Sequence, residues 1–451
     1  MHRVNRKHMA EHSGKKLGLW TSTSLVVGSM IASGIFLMPA ALARFGSISL
    51  LGWIFAAIGA MLTAWVLSKL SVMMPVSDGG PYAYCRKGLG DFAGFCVAWS
   101  YWLSTICGNA AITVGVVSAL STFFPQLATN PLLSVFVALS VIWLLGWINM
   151  RGVVASGRLQ LVTTLMKIVP LLLVTIGGLF FLRPEHFHPF NATGTTNLSA
   201  ISATATLTFF SFLGLECATI PAGSIDNPGK VIPRATLLGT AFVALIYILS
   251  SVSVMGVVPA SNLQQSVTPY ADAAMAIYGS SARYWISAGV AIAAFGALNG
   301  YTLVLAQISS AIAADGLFPK IFCRKNRHDA PAAGIVIGCV LVSLLMMMNY
   351  TRGLASQYTF FILLTTIATL VPFLFSTASF VILRARKHGG KHPRSLWAGT
   401  VVAIAAFLFL LWALAGSGQE SVFWGFMLLM AGIPFYVMVV AFKKKGNDVA
   451  G

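Results

Sequence analysis

The chain has 451 residues, 57% of them hydrophobic and only 9% charged, with a net charge of +18 and a mean hydropathy of +0.83. Soluble domains carry about 25% charged residues, so a soluble globular protein is excluded. Apolar stretches of about 20 residues recur over the whole length and define a polytopic all-α membrane protein. The positive charge does not point to nucleic acid, because the basic residues are spread over many links and both tails rather than gathered in one patch.

A polar, basic arm, residues 1–16, precedes the first apolar run. Hydropathy then predicts twelve spans, at roughly 17–43, 47–75, 91–124, 131–150, 157–182, 199–222, 236–260, 283–314, 331–349, 357–383, 396–416 and 421–442. The first run is too long for the apolar region of a signal peptide, so no cleavable signal is expected. Short links predict one membrane domain: spans one to five over 17–182, spans six to ten over 199–383, two more over 396–442 and a tail at 443–451. The longest link, Ser261 to Ser281, holds the segment Tyr270 to Tyr278, which reads as a short interfacial helix.

Charge orients the spans. Numbering the links alternately from the arm puts 24 of the 29 Lys and Arg on one side and four (Arg44, Arg183, Arg283, Arg352) on the other, leaving Lys167 within a span. By the positive-inside rule both termini are expected in the cytoplasm. The six cysteines avoid the outer links and form no CxxC or Cys/His cluster, so neither disulfides nor a metal site is expected. All eight histidines fall in the arm or in links, which leaves no histidine relay across the membrane. No cofactor motif is read.

The stretch Gly28–Phe36, GSMIASGIF, lies in the middle of the first span. Glycine costs about 1 kcal/mol against alanine inside a helix, and unwound backbone at membrane depth survives only where protein or a watery cavity receives it. A break here presents N–H groups at Ser33 and Gly34 and carbonyls near Met30, a pair of ends suited to a zwitterion. The same residues also read as a small-residue packing face. A second broken-looking stretch, Ser211–Cys217 (SFLGLEC), lies at the middle of span six. Spans one and six open two five-span sets and run in opposite directions, and interrupted helices at corresponding places of two halves point to a transport site.

Glu216 is the only acidic residue deep in a span, and Lys167 the only basic one. An intramembrane ionisable group costs at least about 2.5 kcal/mol and is a functional candidate by default. The alternatives are a protonated carboxyl bonded within the bundle and a structural ammonium held by backbone carbonyls.

Taken together, Gly28–Phe36, Gly79–Tyr84 (GGPYAY), Ser211–Glu216 followed by Asn227 and Pro228, and Ala314–Pro319 (ADGLFP) resemble the amino acid–polyamine–organocation (APC) superfamily over nearly the whole chain. The resemblance implies twelve transmembrane helices: a five-plus-five inverted repeat with broken helices one and six, plus two C-terminal helices. Tyr101-Trp102-Leu103, Cys107-Gly108-Asn109, Asn299–Thr302 and Thr369–Pro372 resemble the bacterial arginine/agmatine antiporters and their basic amino acid and polyamine relatives. The resemblance implies an exchanger of amino acids or their decarboxylated amines in the inner membrane, protons as a further partner, and a homodimer. It implies that Ser33 and Gly34 N–H groups take the substrate carboxylate, with Ile31 in the same break. Carbonyls of Met30, Phe210 and Leu213 would take the amine. Tyr101, Asn109, Tyr301 and Thr365 would line the pocket, and Glu216 would gate it.

Two departures from that branch stand out. Phe210 and Tyr301 occupy places where it carries tryptophan, the best cation–π partner. Lys167, in LMKIVP, resembles the span-five lysine of proton-coupled and neutral amino acid transporters, where sodium-coupled relatives hold sodium. That lysine argues against sodium coupling and keeps a proton-coupled importer of wider range as the alternative. A channel would need a continuous polar pore or charged rings, and a membrane enzyme a catalytic constellation; the spans supply neither.

Overall fold

The structure is a computed structural model that describes residues 17–31, 34–75, 79–151, 153–220, 222, 225–328, 330–388 and 393–439. In chain order the helices are α1 (Leu19–Met30), α2 (Gly34–Ala43), α3 (Ser49–Met73), α4 (Pro81–Leu89), α5 (Asp91–Leu120), α6 (Gln126–Thr129), α7 (Pro131–Met150), α8 (Val153–Gly178), α9 (Asn197–Phe209), α10 (Pro228–Val257), α11 (Ala260–Gln265), α12 (Pro269–Tyr278), α13 (Ala282–Ala314), α14 (Ala332–Met348), α15 (Leu354–His388), α16 (Pro393–Ala415) and α17 (Gln419–Met430). Among the described residues the only β-type pairing is an isolated bridge between Leu17 and Ile225.

Eight of these segments are long and apolar enough to cross a membrane singly, α17 continuing to Val439. The pair α1 and α2 forms a ninth span, bent by 43°. Apolar parts of α8 and α14 are shorter, and the sixth span is α9 followed by irregular chain. Each of the twelve sequence segments therefore has its helical counterpart. Several ends differ. The seventh span starts earlier than expected, at Pro228, because Asn227 adopts a left-handed turn (φ 41°) and a proline suits the first helical position. The Tyr270–Tyr278 segment is helical, but Tyr270 is buried and meets Phe36 edge-on at 5.0 Å, so α12 caps the outer half of span one rather than floating at an interface.

The packing pattern carries the inverted repeat. Helix α1 (span one) packs on α10 (span seven), and α9 (span six) packs correspondingly on α3 (span two). Helix α5 (span three) packs on α15 (span ten), and α13 (span eight) correspondingly on α8 (span five). Two contacts, α3 with α10 and α5 with α13, pair equivalent spans across the pseudo-two-fold. Close crossings rest on small residues. A Cβ at Gly52 of α3 would lie 2.3 Å from Thr204 Oγ1 of α9, and one at Gly296 of α13 would lie 2.0 Å from Thr163 Oγ1 of α8. The end of the bundle bearing α4 and the chain after α13 is the basic one and is called inner here; the other end is called outer.

Candidate functional site

In span one, α1 stops at Met30 and α2 starts at Gly34. Carbonyls that a continuous helix would pair internally are taken by side chains from other spans. Lys167 Nζ of α8 donates to the Gly28 carbonyl, and Tyr247 Oη of α10 donates to the Met30 carbonyl at 2.6 Å. Tyr358 Oη of α15 donates at 2.5 Å to the carbonyl of Gly34, the first residue of α2, and so tethers the start of the outer half-helix. The Met30 carbonyl, read from the sequence as free, therefore already accepts a bond, because burial leaves no unpaired acceptor at low cost. Neither Tyr247 nor Tyr358 was singled out from the sequence; a tyrosine in an apolar span carries no positional signal until its partner is known. Ser33 lies outside the described residues.

Span six breaks more widely. Helix α9 ends at Phe209, residues 210–212 form a single tight turn, and Leu213 is extended. Gly214 takes φ +103°, a conformation open to glycine and strained for other residues. A Cβ there would lie 3.0 Å from Ser29 Cβ and 3.1 Å from the Ser29 carbonyl carbon, so the two breaks cross backbone to backbone. The turn folds the Glu216 side chain back onto its own break. Its Oε2 accepts from Gly214 N–H at 3.1 Å, and its Oε1 accepts from Tyr101 Oη of α5 at 2.6 Å.

Between the breaks lies a cavity of about 240 Å³. Of the residues expected in the site, Tyr101, Leu213, Glu216, Tyr301 and Thr365 line it, joined by Gly28, Ser29 and Cys217. Tyr301 closes on α5 through Gly108, where a Cβ would come within 3.0 Å of the ring. Met30 and Ile31 are buried beside the break and do not line the cavity. Phe210 is not in that wall either. Its ring lies on Gly34, where a Cβ would meet Phe210 Cε1 at 2.8 Å, and it meets Tyr358 edge-on at 6.4 Å. Phe210, Gly34 and Tyr358 thus form a layer at the outer half of the break.

Asn109, expected in the pocket wall, turns away from it. Its Nδ2 donates to Thr105 O at 2.7 Å and its Oδ1 accepts from Thr302 Oγ1 at 3.1 Å. It borders a small separate void of about 10 Å³ beside Ile142 and Cys339. The spacing on α5 sets this: positions 101 and 105 face the cavity, and 109 drifts off that face at 100° per residue.

A second cavity, of about 250 Å³, continues toward the inner end and shares Tyr101 and Val304 with the first. The glycines of the GGPYAY motif shape its floor. Gly79 and Gly80 have positive φ, Gly79 N–H donates to Ile220 O at 3.2 Å, and a Cβ at Gly80 would lie 2.6 Å from Thr219 Oγ1. Tyr82 Oη of α4 donates to Asp315 Oδ2 at 2.6 Å, and Arg86 pairs with Asp91 at 2.8 Å and with Asp315 at 3.3 Å. Burial and the Asp315 bond push the Tyr82 hydroxyl up from its ordinary range, so it remains a donor. The motifs around Gly79, Glu216 and Asp315, far apart in sequence, meet at this inner floor. Among the described residues no group of three or more His, Cys, Asp or Glu is placed to hold a metal ion.

A twelve-span bundle of two inverted halves, with a cavity between two broken helices, is the architecture of a secondary carrier. The chain matches the sequence model of the amino acid permease family over residues 17–442 and belongs to that family, within the APC superfamily. It is 31% identical over 432 residues to the cadaverine/lysine antiporter of Escherichia coli (strain K12), covering 94% of this chain and 95% of that protein. To the putrescine transporter PotE of the same strain it is 28% identical, covering 96% and 98%. To the PotE of Haemophilus influenzae it is 27% identical, covering 94% and 97%.

Proposed function

We propose that this permease exchanges a basic amino acid for its decarboxylated amine across the inner membrane by alternating access, with both termini in the cytoplasm. The observation that carries the reading is the composition of the central cavity. Its single carboxylate is Glu216, and the only intramembrane ammonium, on Lys167, is already bonded to Gly28. A cavity with one buried carboxylate, aromatic walls and a broken helix end suits an elongated cation. The names of the relatives, cadaverine/lysine antiporter and putrescine transporter, support the same substrate class.

In this reading the N–H groups of Ser33 and Gly34 receive the carboxylate when an amino acid is carried, and the carbonyls of Phe210 and Leu213 share the amine with Met30. Tyr101, Tyr301 and Thr365 bound the side chain, Ile31 fills the back of the break, and Asn109 acts at a distance through Thr302 and Thr105. Phe210 closes the site toward the outside. Glu216 exchanges its Tyr101 bond for the substrate cation as the carrier turns over.

The test is counterflow in proteoliposomes loaded with cadaverine and given labelled lysine outside. Uptake that requires internal cadaverine is expected. A second reading, proton-coupled import, is favoured by the Lys167 ammonium on the span-one carbonyl; uptake into empty vesicles under a proton gradient alone would select it and sink exchange.

A further inference from the structure

Another cavity among the described residues is larger than the central one. A crevice of about 510 Å³ opens at the outer end, between the end of α2, the outer half of span six, the start of α15 and the turn into α17. Three charged side chains line it: Arg44, Arg352 and Glu420. Arg352 Nη2 pairs with Glu420 Oε1 at 2.7 Å, and its guanidinium lies 4.6 Å from the Phe360 ring centre. Arg44 follows the last residue of α2, its guanidinium lying 5.0 Å from the centre of the Phe45 ring, and it makes no ion pair among the described residues. Gln264, also in the wall, is tied to the Ala43 carbonyl at 3.3 Å, which holds α11 against the same helix end.

Of the four outer arginines, Arg352 is paired with Glu420, Arg283 faces Asp272 at 4.0 Å, and neither Arg283 nor Arg183 lines the crevice. Arg44 is the lining guanidinium without an ion pair among the described residues, and it directly follows the half-helix that begins with Gly34. A guanidinium is always charged and presents a planar fork that matches a carboxylate.

We infer that this crevice is an outer holding site for the substrate in its amino acid form, with the α-carboxylate on Arg44 and the ammonium on Glu420. A decarboxylated amine has no group for Arg44, and the two guanidinia repel it. The crevice thereby sorts the two exchange partners on the outside before either reaches the central cavity. The inference rests on the exchange reading above and adds to it a second site and a basis for direction.

The experiment uses cadaverine-loaded proteoliposomes and reads the half-saturating external concentrations of labelled lysine and labelled cadaverine. Lysine uptake by the wild type that ignores internal cadaverine overturns exchange itself, whatever Arg44 does. Given exchange, Arg44→Gln should raise the lysine value relative to the cadaverine value by about tenfold, the scale of one charge-assisted bond. Arg44→Lys should recover much of the ratio. An unchanged ratio overturns the outer site. So does a shift seen only in phosphatidylglycerol vesicles and not in phosphatidylcholine vesicles, which would make a lipid headgroup the occupant. A measurement on the wild type is independent of folding in the variants. Phenylglyoxal added outside should modify Arg44, mapped by mass spectrometry, and external lysine should protect it where cadaverine does not. Equal protection by both, or by neither, overturns the proposal.

Discussion

The Tyr101 hydroxyl of α5 and the Glu216 carboxylate of span six are joined by a 2.6 Å hydrogen bond across the wall of the central cavity. The bond couples a rigid span to a broken one at the place where a cationic substrate would compete for the same oxygen. Glu216→Gln keeps the shape and removes the charge. It is expected to slow lysine/cadaverine exchange at least about tenfold, a loss of 1.4 kcal/mol or more. Tyr101→Phe should weaken the substrate-free protein, because a buried oxygen left without its donor costs about 1–3 kcal/mol. Thermal melts with and without cadaverine check the second expectation, and it fails if both variants melt as the wild type does.

Lys167 holds the Gly28 carbonyl from α8, joining span five to span one. Lys167→Met should remove that donor and cripple net exchange, while the wild type should show no sodium dependence. Flux assays in sodium-containing and sodium-free buffer decide it. Full activity in Lys167→Met, or a sodium requirement in the wild type, contradicts the role given to this ammonium.

Gly34→Val should abolish uptake in protein that still reaches the membrane. The first added carbon would already press on the Phe210 ring at 2.8 Å, and branching leaves no rotamer to avoid it. Gly34→Ala should be partly active, with Gly34→Ala combined with Phe210→Leu better than Gly34→Ala alone. Phe210→Ala by itself should cost about 3–5 kcal/mol of stability, the scale of deleting a buried aromatic ring, because the ring packs on Gly34 and Tyr358 rather than on the cavity. Exchange assays in proteoliposomes measure the Gly34 variants, and thermal melts measure Phe210→Ala.

Gly214 and Gly194 make a controlled pair. Both have positive φ, but a Cβ at Gly214 meets Ser29 at 3.0 Å while one at Gly194 meets nothing within 4 Å. Gly194→Ala should cost about 1–2 kcal/mol, the price of the left-handed conformation alone. Gly214→Ala should be far worse, lowering both yield and melting temperature. Similar losses for the two would mean the span-one and span-six breaks do not touch as described.

The spans and both breaks were legible because apolar length, glycine content and a lone carboxylate are properties of the local sequence. The match of the amino acid permease family model and the packing of α1 on α10 and of α9 on α3 bear out the fold expected from those signs. What the sequence could not carry was which side of a helix faces the cavity. Asn109 and Thr105 are one helical turn apart on α5, yet only Thr105 borders the central cavity. Nor could it supply the tyrosines that hold the two sides of the span-one break, since Tyr247 and Tyr358 approach span one from α10 and α15, over two hundred positions away. Phe210 was expected in the pocket, in a place where the antiporter branch carries tryptophan, but its ring packs on Gly34 and does not line the cavity.

The contact of Gly214 with Ser29 makes the two broken helices into a lever with a shared fulcrum. The arm on the inner side, α1, has 12 residues and so a length of about 18 Å at 1.5 Å per residue. A rotation of about 10° at the crossing carries its far end about 3 Å, while Gly28 and Glu216, close to the crossing, scarcely move. Bulk added far from the fulcrum meets the full sweep of the arm; bulk added at the crossing meets the joint itself. Substitutions along α1 should therefore grade from blocked assembly near Ser29 to slowed turnover near Leu19, an ordering set by leverage alone.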